Sequence, residues 1–303
     1  MIDSYVCIAG DLLFLCIVPI LIYFFVFAVK SHHKQTDYPK ARIQHRYAIL
    51  IPETNSISEK YKDEPYEFIT YKDLIQTVQT LDDERYEFVI ILAESACTLS
   101  PKFIEKINKV YDAGVKAIQL HTIVTNRKGF GVRLRALFNE ISNSLFKAGS
   151  TQLNLSSALS GTNMAIDLQW LKKNQRSIKT NIERKLFRQN MYVEYLADTI
   201  VYCEKTPAHS YRRRRKKELS YLMSSLVEGN WSFCNRIIQQ VLPSPLALYI
   251  LTCLMTLLIT GFEWTSSIKW WISLYMLTVI YSLAIPDYFV KDKKKFIIWR
   301  KTH

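Results

Sequence analysis

Apolar positions recur along this chain in three patterns. Leu12 to Val29 is continuously apolar and long enough to cross a bilayer. Short runs follow. Tyr47-Ala48-Ile49-Leu50-Ile51, stopped by Pro52, reads as a buried strand, and so does Phe88-Val89-Ile90-Ile91-Leu92. Val115 to Val124, Tyr192 to Tyr202 and the stretch after Ser160-Gly161 add further extended segments. The third pattern is helical spacing: Leu74, Ile75, Val78 and Leu81 within Tyr71 to Leu81; Phe103, Ile104, Ile107 and Val110 within Pro101 to Ala113; Leu134, Leu137, Phe138, Ile141 and Leu145 within Gly131 to Ala148. Ile182 to Asn190 is also predicted helical. Ser100 is the expected cap of the second helix, with Pro101 at its first position and Gly114 as its stop. Ser56 to Pro65 is polar and loop-like. Strands alternating with helices predict an α/β layer fold. Ligands in such sheets sit at the carboxyl ends of the strands, which selects Glu94, just beyond the central run.

Two more apolar spans, Leu246 to Phe262 and Trp270 to Ile285, flank a short loop over Glu263 to Lys269. Charge orients all three spans. Asp3 and Asp11 precede the first; Lys30, His32, His33 and Lys34 follow it. A cleaved signal peptide has the reverse order. The tail carries Lys291, Lys293, Lys294, Lys295, Arg300 and Lys301. The positive-inside rule then puts the N-terminus outside and the main domain in the cytoplasm. The expected division is an anchor over 1–30, an α/β domain over 42–210, a basic and amphipathic interfacial region over 211–243, a transmembrane hairpin over 244–288 and a basic tail over 289–303. The expected location is the inner (cytoplasmic) membrane.

A formal net charge of +13 favours anionic partners, and 49% hydrophobic residues exclude a disordered chain. The six cysteines form no CxxC pair, so neither a zinc site nor a disulfide framework is expected. The basic run Arg212, Arg213, Arg214, Arg215, Lys216 and Lys217 precedes Leu219, Leu222, Met223, Leu226 and Val227 at helical spacing. Contact with anionic lipid is its first reading and a diphosphate or lipid-phosphate patch its second. Nucleic acid comes last, because no aromatic-basic module accompanies the run. Glu183 and Glu204 read as solvated charges, and His121 as a structural strand histidine.

The order of motifs resembles the membrane-bound family 2 glycosyltransferases. The residues that carry the resemblance are Ile51-Pro52-Glu53-Thr54-Asn55, the central strand ending in a small acidic loop and Ser100-Pro101, Ser160-Gly161-Thr162-Asn163-Met164-Ala165-Ile166, and Glu204-Lys205-Thr206-Pro207. The resemblance implies a GT-A (Rossmann-like) fold, here truncated, with a cleft drawn from Pro52, Asn55, Glu94, Gly161, Thr162 and Asn163. It also implies catalytic groups that this sequence replaces. The family's Asp-x-Asp falls on Glu94 and Ala96, and an alanine offers a cation no oxygen. The base Asp falls on Thr180-Asn181, and an amide takes no proton from a sugar hydroxyl. The diphosphate clamp QxxRW falls on Lys216 to Tyr221, without its Gln and Arg-Trp pair. The stretch between Asn55 and Glu94 is short where the family places the strand and acidic loop that hold uridine.

Two functions follow. One is a catalytically impaired subunit that binds a catalytic glycosyltransferase or a lipid-linked oligosaccharide in surface polysaccharide biosynthesis, with no cofactor. The other is an active, divergent transferase of nucleotide sugars onto a lipid-linked or polysaccharide acceptor, which would be metal-independent, use Mg or Mn, or employ Glu94 in another register.

Overall fold

The computed structural model describes residues 2–32, 37–53, 67–92, 98–100, 102–125, 128–203, 219–286 and 289. In chain order the strands are β1 (Tyr47–Pro52), β2 (Glu67–Tyr71), β3 (Phe88–Ile91), β4 (Thr98–Leu99), β5 (Ala117–Val124), β6 (Met164–Asp167) and β7 (Val193–Cys203). The helices begin with α1 (Ile2–Ser31), α2 (Leu74–Thr80), α3 (Phe103–Asp112) and α4 (Phe130–Asn143). A π turn over Ser144–Ala148 continues α4 into α5 (Gly149–Gln152). Then come α6 (Leu168–Lys173), α7 (Arg176–Thr180), α8 (Ile182–Arg188), α9 (Leu222–Val227), α10 (Trp231–Val241), α11 (Pro245–Phe262) and α12 (Trp264–Ala284).

The chain forms two compact units, one of Gln35–Arg127 and Asn154–Ile238, the other of Met1–Lys34, Lys128–Leu153 and Gln239–His303. The first is built on a mixed sheet of order β2-β1-β3-β6-β5-β7-β4. β1 runs parallel to β2 and β3, β6 antiparallel to β3 and β5, β7 parallel to β5, and β4 antiparallel to β7. Successive strand residues face opposite ways, so the apolar runs supply two cores. Ala48, Leu50, Val89 and Ile91 pack with Val78, Leu168, Leu171, Ile182 and Leu186 of α2, α6 and α8. Tyr47, Ile49, Phe88 and Ile90 pack with Phe103, Ile107 and Val110 of α3. A strand buried on both faces has no polar alternation, which is why these runs are legible.

Two local expectations change. β2 lies between the polar stretch over Ser56 to Pro65 and the helix expected from Tyr71, and that helix begins only at Leu74. The residues of β2 are only half covered, as suits an edge strand, so its apolar signal is weak. Asp73 then caps α2 by accepting the Ile75 N–H at 2.9 Å. Ser100 does not cap α3; Lys102 holds that position at φ 58° with no side-chain cap bond. Ser100 is instead bound to β7, where its Oγ accepts the Ile200 N–H at 3.0 Å and its own N–H donates to the Ile200 carbonyl at 3.0 Å. A sheet edge offers unpaired backbone groups that compete for a serine as strongly as a helix end does. Gly114, at φ 95°, does end α3.

The second unit is helical. The helix expected over Gly131 to Ala148 inside the α/β domain falls here, as α4, the π turn and α5. The loop expected over Glu263 to Lys269 shrinks to Glu263, because α12 begins at Trp264. Aromatic pairs join the helices: Phe14 with Trp270, Phe24 with Phe146 and Tyr281, and Phe138 with Tyr249. Tyr281 donates to the Pro245 carbonyl at 2.8 Å, and Lys269 pairs with Asp11. Among the described residues two stretches are long and apolar enough to cross a membrane, Ile8–Ser31 at mean hydropathy 3.0 and Pro245–Phe262 at 2.0. Only 22% and 28% of them, respectively, are buried.

Candidate functional site

Strand pairing decides which predicted residues meet. Pro52 ends β1, Leu92 follows β3 and bonds through its N–H to the Leu50 carbonyl at 3.0 Å, and Met164, opening β6, lies opposite Ile91. Pro52, Leu92 and the Gly161-Thr162-Asn163 turn therefore share the carboxyl edge of the parallel strands, the edge where α/β sheets bind ligands. Asn55, Glu94, Ala96, Glu204 and the run Arg212 to Lys217 lie outside the described residues.

Gln119 fixes this turn, and it escaped the sequence reading. It is fully buried on β5. Its Nε2 donates to the Leu120, Thr162 and Asn163 carbonyls at 2.9, 3.2 and 3.1 Å, and its Oε1 accepts the Ser160 N–H at 2.6 Å. A glutamine between Ile118 and Leu120 in a buried run was the available signal, since buried amides need partners. Asn163 is also fully buried. Its φ of 50° suits a short amide side chain, its Nδ2 donates to Thr122 Oγ1 at 2.8 Å, and its carbonyl accepts the Leu120 N–H at 3.0 Å. Gly161, at φ 76°, and Thr162 are half-buried. The turn thus has a committed underside, Asn163, and an accessible rim, Gly161 and Thr162. His121 bonds to the Tyr195 hydroxyl inside the sheet, the structural role expected of it.

Asn181, where the resemblance would place the family's base, is buried and caps α8 by accepting the Arg184 N–H at 3.0 Å. Glu183 corrects the solvated reading: it is 2% exposed. Its Oε1 accepts the Leu159 N–H at 2.7 Å and lies 2.8 Å from Arg236 Nε, while Arg236 Nη2 donates to its Oε2 at 3.2 Å. Helical periodicity gave no hint of the pair, because Glu183 and Arg236 are far apart in sequence and meet only when α8 and α10 pack. Near β2, Glu53 and Lys72 pair at 3.3 Å across the carboxyl ends of β1 and β2.

The amino edge of the sheet carries a second polar cluster. His45 contacts Glu87 through Nδ1 and Asp112 through Nε2, the latter at 3.3 Å. The Arg42 backbone N–H, donating to Asp112 at 2.9 Å, holds that carboxyl below the usual carboxylate range. These bonds tie residues 42–47 to α3. Among the described residues, no three His, Cys, Asp or Glu side chains converge to hold a metal ion.

A family model described as Glycosyl transferase family group 2 matches residues 88–283, well over half of the chain. The chain belongs to this family. The match runs from β3 into the last turn of α12, so it takes in the Gly161-Thr162-Asn163 turn, Asn181 and α11. Among solved structures, the mannosyltransferase PcManGT from Pyrobaculum calidifontis, in complex with GDP-Man and Mn2+, is similar at 11% identity, with a TM-score of 0.50 over 94% of this chain and 97% of that one. At that identity the likeness shows fold alone: a mixed, Rossmann-like α/β sheet with a GT-A-like neighbour. Among curated proteins nothing matches. For this family member, β2 corrects one expectation. A strand is present in the stretch where the resemblance places the uridine-holding loop, and Asp73 follows it by two residues.

Proposed function

We propose that this family 2 member is membrane-anchored and catalytically impaired, and that it serves as a subunit or partner in surface polysaccharide assembly, binding a catalytic glycosyltransferase or a lipid-linked oligosaccharide. Asn181 carries this reading. At the base position the side chain is an amide, buried and engaged in capping α8. A general base must reach the proton it takes and must be basic enough to hold it, which an amide is not. The nearby carboxylate, Glu183, is engaged by Arg236 and by the Leu159 N–H. The position matching the cation-binding Asp is Ala96, whose methyl group is no ligand for a hard cation. These residue types do not fit a divalent ion as the family would hold one.

Membrane anchoring is supported by exposure. Leu12, Leu15 and Ile22 of α1, and Leu254 and Leu257 of α11, are each 60% exposed or more. The core helix of a soluble protein would bury them, and a surface patch of this kind belongs in lipid. Helix directions favour the same reading. Asp11 pairs with Lys269 near the starts of α1 and α12, while Tyr281 near the end of α12 meets Pro245 at the start of α11. The order out-to-in, in-to-out, out-to-in agrees with Lys30 and the basic tail on the cytoplasmic side. Exposed Met223, Val227 and Trp231 on α9 and α10 favour an interfacial position for that region.

The full-length chain in lipid nanodiscs, given GDP-mannose or a uridine-diphosphate sugar with Mn2+, should release no nucleoside diphosphate and show no thermal shift. Turnover that is lost in Glu94→Gln would establish the active, divergent alternative instead.

A further inference from the structure

We propose that the amino-terminal tip of α4 is a lipid-docking hook that seats in the headgroup layer of an anionic bilayer. Phe130, the first residue of α4, is 82% exposed, and Val132 is 45% exposed. Lys128, Arg133 and Arg135 beside them are exposed too. No acidic residue occurs from Lys128 to Asn139, and Glu140, the first acid, is buried.

The rest of the helix is firmly seated. Phe146 packs edge-on against Phe24 of α1 at 5.6 Å, and Phe138 meets Tyr249 of α11 at 6.1 Å. Gly149 lies so close to α1 that a Cβ there would stand 2.7 Å from the Phe27 carbonyl oxygen. The carboxyl half of the helix is thus fixed to the two helices whose outward surfaces are apolar, and the amino end is exposed. Gly129 turns the chain into the helix at φ 90°, and a Cβ at Gly129 or Gly131 would meet nothing within 4 Å.

Single exposed apolar residues are ordinary. A phenyl ring and a valine exposed at the open end of a helix packed onto α1 and α11, with cations on either side of them in the sequence, are a different matter. Aromatic rings favour the headgroup level, and basic residues there gain from anionic lipid. The packing of Phe138 and Phe146 onto α11 and α1, whose outward residues are apolar, and the one-signed charge select a bilayer over a protein partner. This inference rests on the membrane-spanning reading above.

The test uses the full-length chain in vesicles of phosphatidylcholine, with or without phosphatidylglycerol. The photo-cross-linker p-benzoylphenylalanine replaces Phe130, or Leu254 on α11 as the spanning control. Lipid adducts at both positions are expected. At position 130 the yield should be higher with phosphatidylglycerol and should fall roughly fivefold for each of Lys128→Gln and Arg135→Gln, the fold-change of one basic contact with anionic lipid. A lipid adduct at 254 with none at 130, or with only a protein adduct there, overturns the hook and leaves the spanning reading intact. A yield at 130 indifferent to phosphatidylglycerol and to both variants overturns the anionic preference that defines the hook. No lipid adduct at 254 overturns the spanning reading and the hook with it.

Discussion

Asn181 tests the central claim at the scale of one side chain. Asn181→Ala removes the α8 cap and should cost about 1 kcal/mol in denaturant unfolding, whereas Asn181→Asp caps equally well and should leave stability nearly unchanged. If a carboxylate were all that the site lacked, Asn181→Asp would gain turnover; we expect none, since the cap bond and burial remain. The Glu183–Arg236 pair is a separate matter. Arg236→Met strands a buried carboxylate and should destabilise by roughly 3–5 kcal/mol, while the double variant Glu183→Leu/Arg236→Met should recover much of that loss. Glu194 gives the pH dependence. Burial raises its carboxyl above the usual range, against hydrogen bonds from Tyr38 and Tyr192. A carboxylate so raised contributes stability below the ordinary glutamate value, about 4.3, and loses it as pH rises through the folded value. Glu194→Gln keeps an acceptor for Tyr38 and should gain melting temperature over the native chain at pH 7 relative to pH 4.

At the scale of elements, legibility followed burial. β1 and β3 were readable because both faces are covered and their residues are apolar in runs, and β5 because its apolar residues alternate. β2 was not, because an edge strand pairs through its backbone while its side chains stay half in water, so composition reports little. The helix Gly131 to Ala148 was legible as a helix, but not as part of the helical unit. Periodicity shows which face is apolar and says nothing of what covers it. Gly149 is where that packing can be tested. In Gly149→Ala the new methyl meets a backbone carbonyl that cannot step aside, and a loss of about 1–3 kcal/mol is expected in thermal unfolding in micelles. Gly10→Ala should cost less, because its methyl would meet Ile259 Cδ1, the end of a flexible side chain.

For the molecule as a whole, the ordering of charge and apolar spans is the strongest constraint. Leu254 sits mid-way along α11 and is 60% exposed. Leu254→Arg should reduce membrane insertion by roughly 2.5–3.5 kcal/mol in a glycosylation-reporter assay. An unchanged insertion would count against α11 as a span.

Local chemistry along the chain was enough to determine the apolar strands buried on both faces, the long apolar stretches of α1 and α11 and the charges that flank them, because each of these is set by a residue and its near neighbours in sequence. Tertiary structure alone decided that Glu183 meets Arg236, that Gln119 holds the Gly161-Thr162-Asn163 turn, that Ser100 serves β7 rather than α3, and that α4 joins the helical unit. Those partners lie tens of residues apart, and no periodicity in one segment encodes which distant segment will fold against it.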